Sequence, residues 1–276
     1  MQRPPELHAE PIADADRYTF EMSRSLIDKC YLLDKTDAGL FVDFGCADGA
    51  LLGFIDKIYP GVALVGFDND ESMVELARER NPGRSILYTS SWDEVDAAIR
   101  DHRARGIKSC LIMNSVIHEA YSYQTEAEVE AMWRRVWGEG HAGFDYVAIR
   151  DMMVSRSTSR ASDPIMAARI RQVFDPALLD AWEAHWGAID ENWSMVHFLL
   201  TYRFLRKDNM RELKENYLPV NIEEFVSSIP NGYFPVFKEH FTLPFLRRKV
   251  REDFGIDLTD RTHVKLVLER REGGTA

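Results

Sequence analysis

Short apolar runs alternate with amphipathic stretches over the first 150 residues of the chain. Apolar runs of this length are typical of strands buried on both faces, and apolar positions repeating every three to four residues are typical of covering helices. The pattern therefore predicts a parallel sheet with right-handed crossover helices on both faces. The predicted strands are Leu40–Phe44, Ala63–Phe67, Ser85–Tyr88, Ser109–Met113 and Tyr146–Ile149, and the predicted helices are Tyr18–Leu33, Gly49–Ile58, Glu71–Arg80, Trp92–Arg105 and Thr125–Val136.

The pattern changes after Asp151, where three helix-like stretches follow without a strand between them. Two of them open with an aspartate before a proline, which is a cap residue followed by proline at the first helical position. Two β-like runs near the end of the chain predict an antiparallel pair that closes the sheet. These later elements begin at Asp163-Pro164, at Asp175-Pro176, at Glu191 (to Leu205) and at Asn221, and the β-like runs are Phe234–Phe241 and His263–Glu269.

Together these elements predict an α/β fold with a doubly wound, mostly parallel, seven-stranded sheet and a helical cap inserted after the fifth strand. The sequence shows no internal repeat and no Gly/Ser linker, which favours one domain with an insertion. The predicted division is an N-terminal helical segment (1–37), the sheet core (38–150), the cap (151–220) and the C-terminal part of the core (221–276).

Composition narrows the possible partners. The chain has 276 residues, 45% of them hydrophobic, and a net charge of −11, of which the first 150 residues carry 16 Lys+Arg against 26 Asp+Glu. A strongly acidic protein is a poor non-specific binder of nucleic acid, because that affinity depends on Lys and Arg neutralising phosphates. The remaining residues are close to neutral, so a local basic surface could still form there. Nucleic acid is therefore a less favoured partner but is not excluded.

Targeting signals and cysteine usage also shape the expectation. No apolar run approaches the ~18 residues that span a bilayer, and the opening stretch MQRPPELHAEPIADADRY lacks the apolar region of a signal peptide. The three cysteines are too scattered for a disulfide framework or a metal knuckle. We therefore expect a cytoplasmic protein without a membrane partner.

The most informative motif is Asp43-Phe-Gly-Cys-Ala-Asp-Gly49, which follows the first predicted strand and precedes a helix. Glycines permit a tight turn, small side chains let a ligand approach the backbone, and the helix presents free N–H groups. A second acid, Asp68, ends the next predicted strand, where an acid would meet ribose hydroxyls. Together these features are much more specific than an ordinary strand–helix turn.

The loop also discriminates between nucleotide cofactors. No Gly-Lys-Ser/Thr follows Gly49, as a phosphate-binding Walker loop would require, and the three-glycine pattern of dinucleotide sites is absent. Asp48 near the helix start would repel a pyrophosphate but is compatible with a neutral or cationic ligand.

These residues resemble the first two motifs of class I S-adenosylmethionine-dependent methyltransferases, and the resemblance extends over roughly residues 38–150 in strand and motif order. It implies that the Gly45–Gly49 loop cradles the methionine end of S-adenosylmethionine, that Asp43 lies near its amino group, and that Asp68 binds the ribose. It also implies that the loop after the third strand lies along the adenine. The cofactor-binding residues predicted in this way are Asp43, Gly45, Cys46, Ala47, Gly49, Asp68, Asn69, Ser91, Trp92 and Asn114.

The stretch after the fourth strand holds His118-Glu119, at the sheet edge where ligands of open α/β folds bind. A histidine is the natural general base near neutral pH, and Glu119 or another acid could orient it. The placement resembles the His-Asp pair of small-molecule O-methyltransferases, although Glu119 and Ala120 depart from that pattern. The structural alternative is a pair that caps the next helix or lines the methionine pocket.

No metal site is predicted, because HEAYS lacks the second histidine four positions on that a zinc-binding helix requires. Tyr121, Arg150 and Asp151 are candidate substrate contacts, with an ion pair as the alternative role of Arg150 and Asp151. The aromatic residues of the cap are predicted to be mostly core. Two basic runs, 203–211 and 247–251, are either solvated helix faces or a rim that favours an anionic substrate.

The sequence thus predicts a methyltransferase that uses S-adenosylmethionine to methylate an O or N of a small molecule. Anionic small molecules are among the expected substrates. One alternative is an RNA or nucleotide methyltransferase. Another is a module that binds S-adenosylmethionine, or nothing, without catalysis.

Overall fold

The computed structural model describes residues 25–205 and 213–271, and within them seven strands form one sheet. The order is β3-β2-β1-β4-β5-β7-β6, with β1 to β5 parallel and β7 antiparallel to both β5 and β6. The predicted α/β class with a seven-stranded, mostly parallel sheet is confirmed. The strands are β1 (Leu40–Phe44), β2 (Ala63–Phe67), β3 (Ile86–Thr89), β4 (Ser109–Asn114), β5 (Tyr146–Met152), β6 (Tyr233–Phe241) and β7 (His263–Arg270).

Helices cover the sheet and form a separate layer after β5. The predicted opening helix is represented in the described residues by its last part alone, a short helix followed by a 3-10 turn over Cys30–Leu32, and its residues 18–24 lie outside them. The helices are α1 (Leu26–Lys29), α2 (Ala50–Ile58), α3 (Glu71–Arg80), α4 (Trp92–Ala104), α5 (Ile117–Tyr123), α6 (Glu126–Val136), α7 (Pro164–Val173), α8 (Pro176–Trp186), α9 (Asn192–Leu205), α10 (Ile222–Ser228) and α11 (Pro244–Phe254).

Strand β1 shows why the core strands read as unbroken apolar runs. Side chains alternate between the two faces of a strand. Leu40 and Val42 pack with α4 and α6 in one cluster, whereas Phe41 packs with α2 and α3 in another. Both faces are covered by helices, so every position of β1 is buried.

The cap has a core of its own, built by α7, α8 and α9. Helix α11, which lies between β6 and β7, joins this core: Val250 and Phe254 share a cluster with Trp182 and Phe198. The predicted division had assigned this stretch to the C-terminal part of the sheet core. The division into four segments stays a prediction, with α11 packed on the cap side.

Two differences from the predicted elements matter for the site. Strand β5 continues to Met152 rather than ending at Ile149, because β7 pairs with Arg150, Asp151 and Met152. Helix α5 was not predicted, since its seven residues are too few for a helical period to emerge. None of the helices in the described part of the chain combines the length and apolar character needed to cross a bilayer.

Candidate active site

The loop between β1 and α2 adopts a tight, left-handed course. Gly45, Ala47 and Gly49 have φ values of +73°, +45° and +74°. The amides of Gly45 and Cys46 donate to the carbonyl oxygen of Phe67 at 2.8 and 3.0 Å, which ties the loop to the end of β2. A Cβ at Gly49 would come within 2.5 Å of the Tyr88 hydroxyl, so this position requires glycine for space as well as for backbone conformation.

Asp68 lies against this loop, as the sequence predicted from the order of the strands. One carboxylate oxygen accepts a hydrogen bond from the Ala47 amide at 2.9 Å, and the other accepts from the Asp70 amide at 3.0 Å. Each carboxylate oxygen has a second lone pair, so a half-buried Asp68 can still accept hydrogen bonds from ligand hydroxyls.

Asp43 is buried at the end of β1, with 4% of its surface exposed. Burial raises its pKa to about 8, and the ammonium of Lys29 opposes that shift. Lys29 itself is buried on α1, and burial lowers its pKa while Asp43 raises it. Sequence reasoning missed Lys29, because a lysine in a surface-type helix gives no signal that it will fold over the end of β1.

Three further predicted cofactor residues lie at the same sheet edge. Ser91 is the N-cap residue of α4, and its amide donates to the hydroxyl oxygen of Thr89 at 2.9 Å. Trp92 stacks between the sheet and α6: its ring centroid is 4.4 Å from that of Phe67, and the Arg135 guanidinium lies 5.0 Å from the ring. Asn69 is exposed in the turn after β2.

Asn114, at the end of β4, carries the clearest sign of a missing ligand. Both polar atoms of its side chain are buried, and neither has a hydrogen-bond partner among the described residues. Native structures leave few such groups, because an unpaired buried amide costs free energy. A ligand with polar groups at the edge of β1, β2 and β4 would satisfy Asn114, and S-adenosylmethionine has such groups.

The charge of Asp48 is compensated by an arginine, which the sequence did not indicate. Its carboxylate pairs with Arg80 at 2.7 Å and accepts from the Ala50 amide at 3.3 Å. Because Arg80 compensates this charge, Asp48 repels an anionic ligand less than the sequence suggested.

On the acceptor side, His118 lies between two carboxylates from distant parts of the chain. Its Nδ1 is 2.7 Å from Asp151 Oδ1 and its Nε2 is 3.0 Å from Glu215 Oε1. Asp151 also accepts from the amides of Ile117 and Met152, both at 2.7 Å. The Tyr123 hydroxyl donates to Glu215 Oε2 at 3.0 Å.

This geometry assigns the orienting role at His118 to Asp151 rather than to Glu119. Burial lowers the pKa of His118, but Asp151 and Glu215 outweigh burial and hold that pKa well above its usual value. Burial in turn raises the pKa of Asp151, and His118 outweighs it, so the pKa of Asp151 is lowered. The general-base role of His118 stays a prediction, with the added condition that Glu215 must leave Nε2.

Glu215 and Tyr123 were not among the predicted site residues. Glu215 follows the basic run of the cap and comes 92 positions after the tyrosine that it contacts. Nothing in the local pattern distinguishes it from a solvated glutamate.

The remaining predicted substrate contacts have structural partners. Arg150 is buried, its Nε lies 2.6 Å from Asp28, and one terminal nitrogen donates to the Ser115 hydroxyl at 3.1 Å. This is the ion-pair alternative for Arg150. The Tyr121 hydroxyl accepts from Trp133 Nε1 at 3.2 Å.

The second basic run lies on α11 and pairs with nearby acids. Lys249 is 2.5 Å from Asp253 and Arg251 is 2.5 Å from Asp257, as expected of a solvated helix face. In the first run, Arg203 lies over the Phe245 ring at 5.0 Å, whereas residues 206–211 fall outside the described residues.

One group within residues 25–205 and 213–271 has the composition and spacing of metal ligands. His118, Glu119 and Glu215 each offer an atom, and these atoms lie within 4.8 Å of one another. The prediction of no metal considered residues close in sequence to His118, so it could not include Glu215.

No family model matches the chain, and neither does any curated protein. Among solved structures, TnmH matches with a TM-score of 0.51 and 13% identity over 93% of this chain and 57% of TnmH. The methyltransferase domain of bacterial CtHen1-C gives 0.48 and 15%, covering 90% of this chain and 98% of that domain. A SAM-dependent methyltransferase from Anabaena variabilis gives 0.43 and 13%, with 98% and 100% covered. At these identities the likeness to TnmH concerns the fold alone.

Proposed function

We propose that this chain transfers the methyl group of S-adenosylmethionine to an O or N of a small molecule. The proposal rests mainly on the buried Asn114 amide, which has no hydrogen-bond partner among the described residues and which ends β4, the strand next to β1. Ligands of open α/β sheets bind at this edge, where the strand order reverses between β1 and β4.

In this proposal, each part of S-adenosylmethionine would contact some of the predicted cofactor-binding residues. The Gly45–Gly49 loop, with Cys46 and Ala47, would hold the methionine end beside Asp43. Asp68 and Asn69 would bind the ribose, Ser91 and Trp92 would lie along the adenine, and Asn114 would bind the polar edge nearest β4. When bound, the cofactor supplies a methyl group on an electrophilic sulfonium, so the protein mainly contributes position and exclusion of water.

The cap and the His118 cluster would form the acceptor end. Glu215 brings a residue of the predicted cap segment into contact with His118, so the cap segment contributes to this end of the site. If His118 acts as general base, it accepts the proton on Nε2 after Glu215 withdraws, and Asp151 on Nδ1 stabilises the imidazolium.

Incubating the purified protein and cell extract with methyl-labelled S-adenosylmethionine tests the proposal. We expect label in the small-molecule fraction, and much less of it at low cofactor concentration when Asp68→Ala replaces the wild type. Label in RNA would instead favour the nucleotide alternative, for which the paired lysine and arginines of α11 offer little free charge. No transfer to any fraction, with cofactor binding intact, would favour a non-catalytic module.

A further inference from the structure

The cluster around His118 has the spacing of a cation site. His118 Nε2 and Glu215 Oε1 are 3.0 Å apart, and the Glu119 carboxylate lies within 4.8 Å of both donor atoms. In an octahedral shell with bonds of ~2.1 Å, neighbouring donor atoms are about 3.0 Å apart. A cation bound between these two atoms would replace the proton that they now share, and that proton would be released to solvent.

Two of the three donors are held by a second layer of contacts. Asp151 lies on Nδ1 of His118, which leaves Nε2 to bind, and two backbone amides fix Asp151 in turn. Tyr123 donates to Glu215 Oε2, which leaves Oε1 directed to the imidazole. Ligand histidines commonly donate their other nitrogen to a carboxylate, and ligand carboxylates are themselves hydrogen-bonded.

Burial makes this cluster responsive to a cation. The His118, Asp151 and Glu215 side chains expose 6%, 1% and 4% of their surface, and Glu119 is half-buried. A cation among carboxylates that are largely shielded from water interacts with them more strongly than it would at an exposed site.

We propose that His118, Glu119 and Glu215 bind one divalent metal cation at the acceptor end of the site. One imidazole nitrogen with carboxylate oxygens and no thiolate suits Mn²⁺, Fe²⁺ or Zn²⁺. With the cation bound, His118 Nε2 would be a ligand and not the general base. The cation would instead hold an electron-rich acceptor atom near the end of β4, and this role rests on the proposed methyl transfer. Cation binding itself does not depend on that function.

The test uses the full chain, stripped with EDTA, desalted and titrated with MnCl₂ while electron paramagnetic resonance follows free Mn²⁺. We expect one Mn²⁺ per chain for the wild type and at least about tenfold weaker binding for Glu215→Gln. His141→Ala is the matched control, because His141 also contacts a carboxylate, Asp96 at 2.9 Å, but belongs to no ligand group. It should bind Mn²⁺ as the wild type does.

Circular dichroism in EDTA checks that each variant is folded. If Glu215→Gln does not fold, Tyr123→Phe decides instead, since it removes the contact to Glu215 and should weaken Mn²⁺ binding severalfold. Wild-type protein that takes up neither Mn²⁺ nor Zn²⁺, or folded Glu215→Gln or Tyr123→Phe protein that binds as the wild type, would overturn the proposal.

A parallel titration with S-adenosylhomocysteine separates the two proposals. Cofactor binding without cation binding would overturn the metal site alone. Cation binding without cofactor binding would overturn the proposed methyl transfer and leave the metal site standing.

Discussion

The cofactor end and the acceptor end of the candidate site are assembled in different ways. At the cofactor end, the loop and Asp68 come from successive strand ends, and the contact between Ala47 and Asp68 spans 21 positions. At the acceptor end, His118 contacts Asp151 across 33 positions, and Glu215 reaches Tyr123 across 92. One end is built from neighbouring strand ends, and the other is built from residues that lie far apart in the chain.

The difference has a consequence for stability and for ligand binding. The cofactor end is built largely from backbone conformation and amides, which the sheet fixes by itself. The acceptor end is built from buried charged side chains, each of which depends on its partner. We therefore expect substitutions at the acceptor end to affect folding most and substitutions at the cofactor end to affect cofactor affinity most.

The largest expected effect is that of Asp151→Asn on stability. The substitution weakens three hydrogen bonds to a fully buried carboxylate and removes one of the two charged partners of His118. We expect a loss of about 3–5 kcal/mol in the free energy of unfolding, measured by urea titration in EDTA. Asp101→Asn, which breaks an exposed pair with Arg105, should cost less than about 1 kcal/mol. Equal losses would remove the distinction between the acceptor end and the surface.

The next effect in size is that of Asp68→Ala on cofactor affinity. Hydrogen bonds to a charged group contribute about 1.5–3 kcal/mol, so binding of S-adenosylhomocysteine should weaken about ten- to a hundredfold. Isothermal titration calorimetry measures this directly. Glu75→Ala, an exposed acid on α3, is the control and should bind as the wild type. Unchanged affinity in Asp68→Ala would remove the ribose assignment.

The pH dependence of cofactor binding sharpens the role of Asp43. Its pKa is raised to about 8, so the carboxyl is mostly protonated in the free protein at pH 6–7. If the cofactor amino group lies beside Asp43, binding favours the ionised form and releases a proton. Affinity should then rise with pH towards 8, by up to about tenfold per pH unit, and level off above it.

Asp43→Asn supplies the control for this pH profile. Calorimetry in buffers of different ionisation enthalpy should detect proton release in the wild type and none in the variant. A wild-type profile that is flat between pH 6 and 8 would contradict the placement of the amino group.

The smallest expected effect is the difference in stability between Gly49→Ala and Gly83→Ala. This difference separates backbone strain from steric crowding in the loop. Gly49→Ala places a methyl group at φ +74° within 2.5 Å of Tyr88, whereas Gly83→Ala meets the same strain at φ +73° with nothing within 4 Å. A left-handed residue with a Cβ costs about 1–2 kcal/mol. We expect Gly83→Ala to lose about that much stability and Gly49→Ala to lose about 1 kcal/mol more. Equal losses would mean that Tyr88 does not constrain the loop.

The sequence predicted what is local. Strands β1 and β2 and the loop between β1 and α2 were located because apolar runs and glycines lie within a few residues of each other. The placement of Asp68 followed from strand order, since parallel strands joined by crossovers bring their carboxyl ends to one edge.

What the sequence did not predict depends on packing over long separations. Strand β5 was placed too short, because its polar end is paired by β7, more than a hundred residues later. Lys29 and Glu215 look like surface residues by local pattern, and only the fold shows that each is buried beside an acid or a histidine. The sequence offered Glu119 or another acid as the partner of His118, and the fold places Asp151 on Nδ1.

A crystal structure of the chain with S-adenosylhomocysteine is the most direct test of the central claim. We predict that the ribose of the ligand lies within hydrogen-bond distance of Asp68 and that the amino end of the ligand lies in the Gly45–Gly49 loop near Asp43. The Asn114 amide should gain a hydrogen-bond partner. A ligand bound elsewhere, or an Asn114 amide still without a partner in the complex, would contradict it.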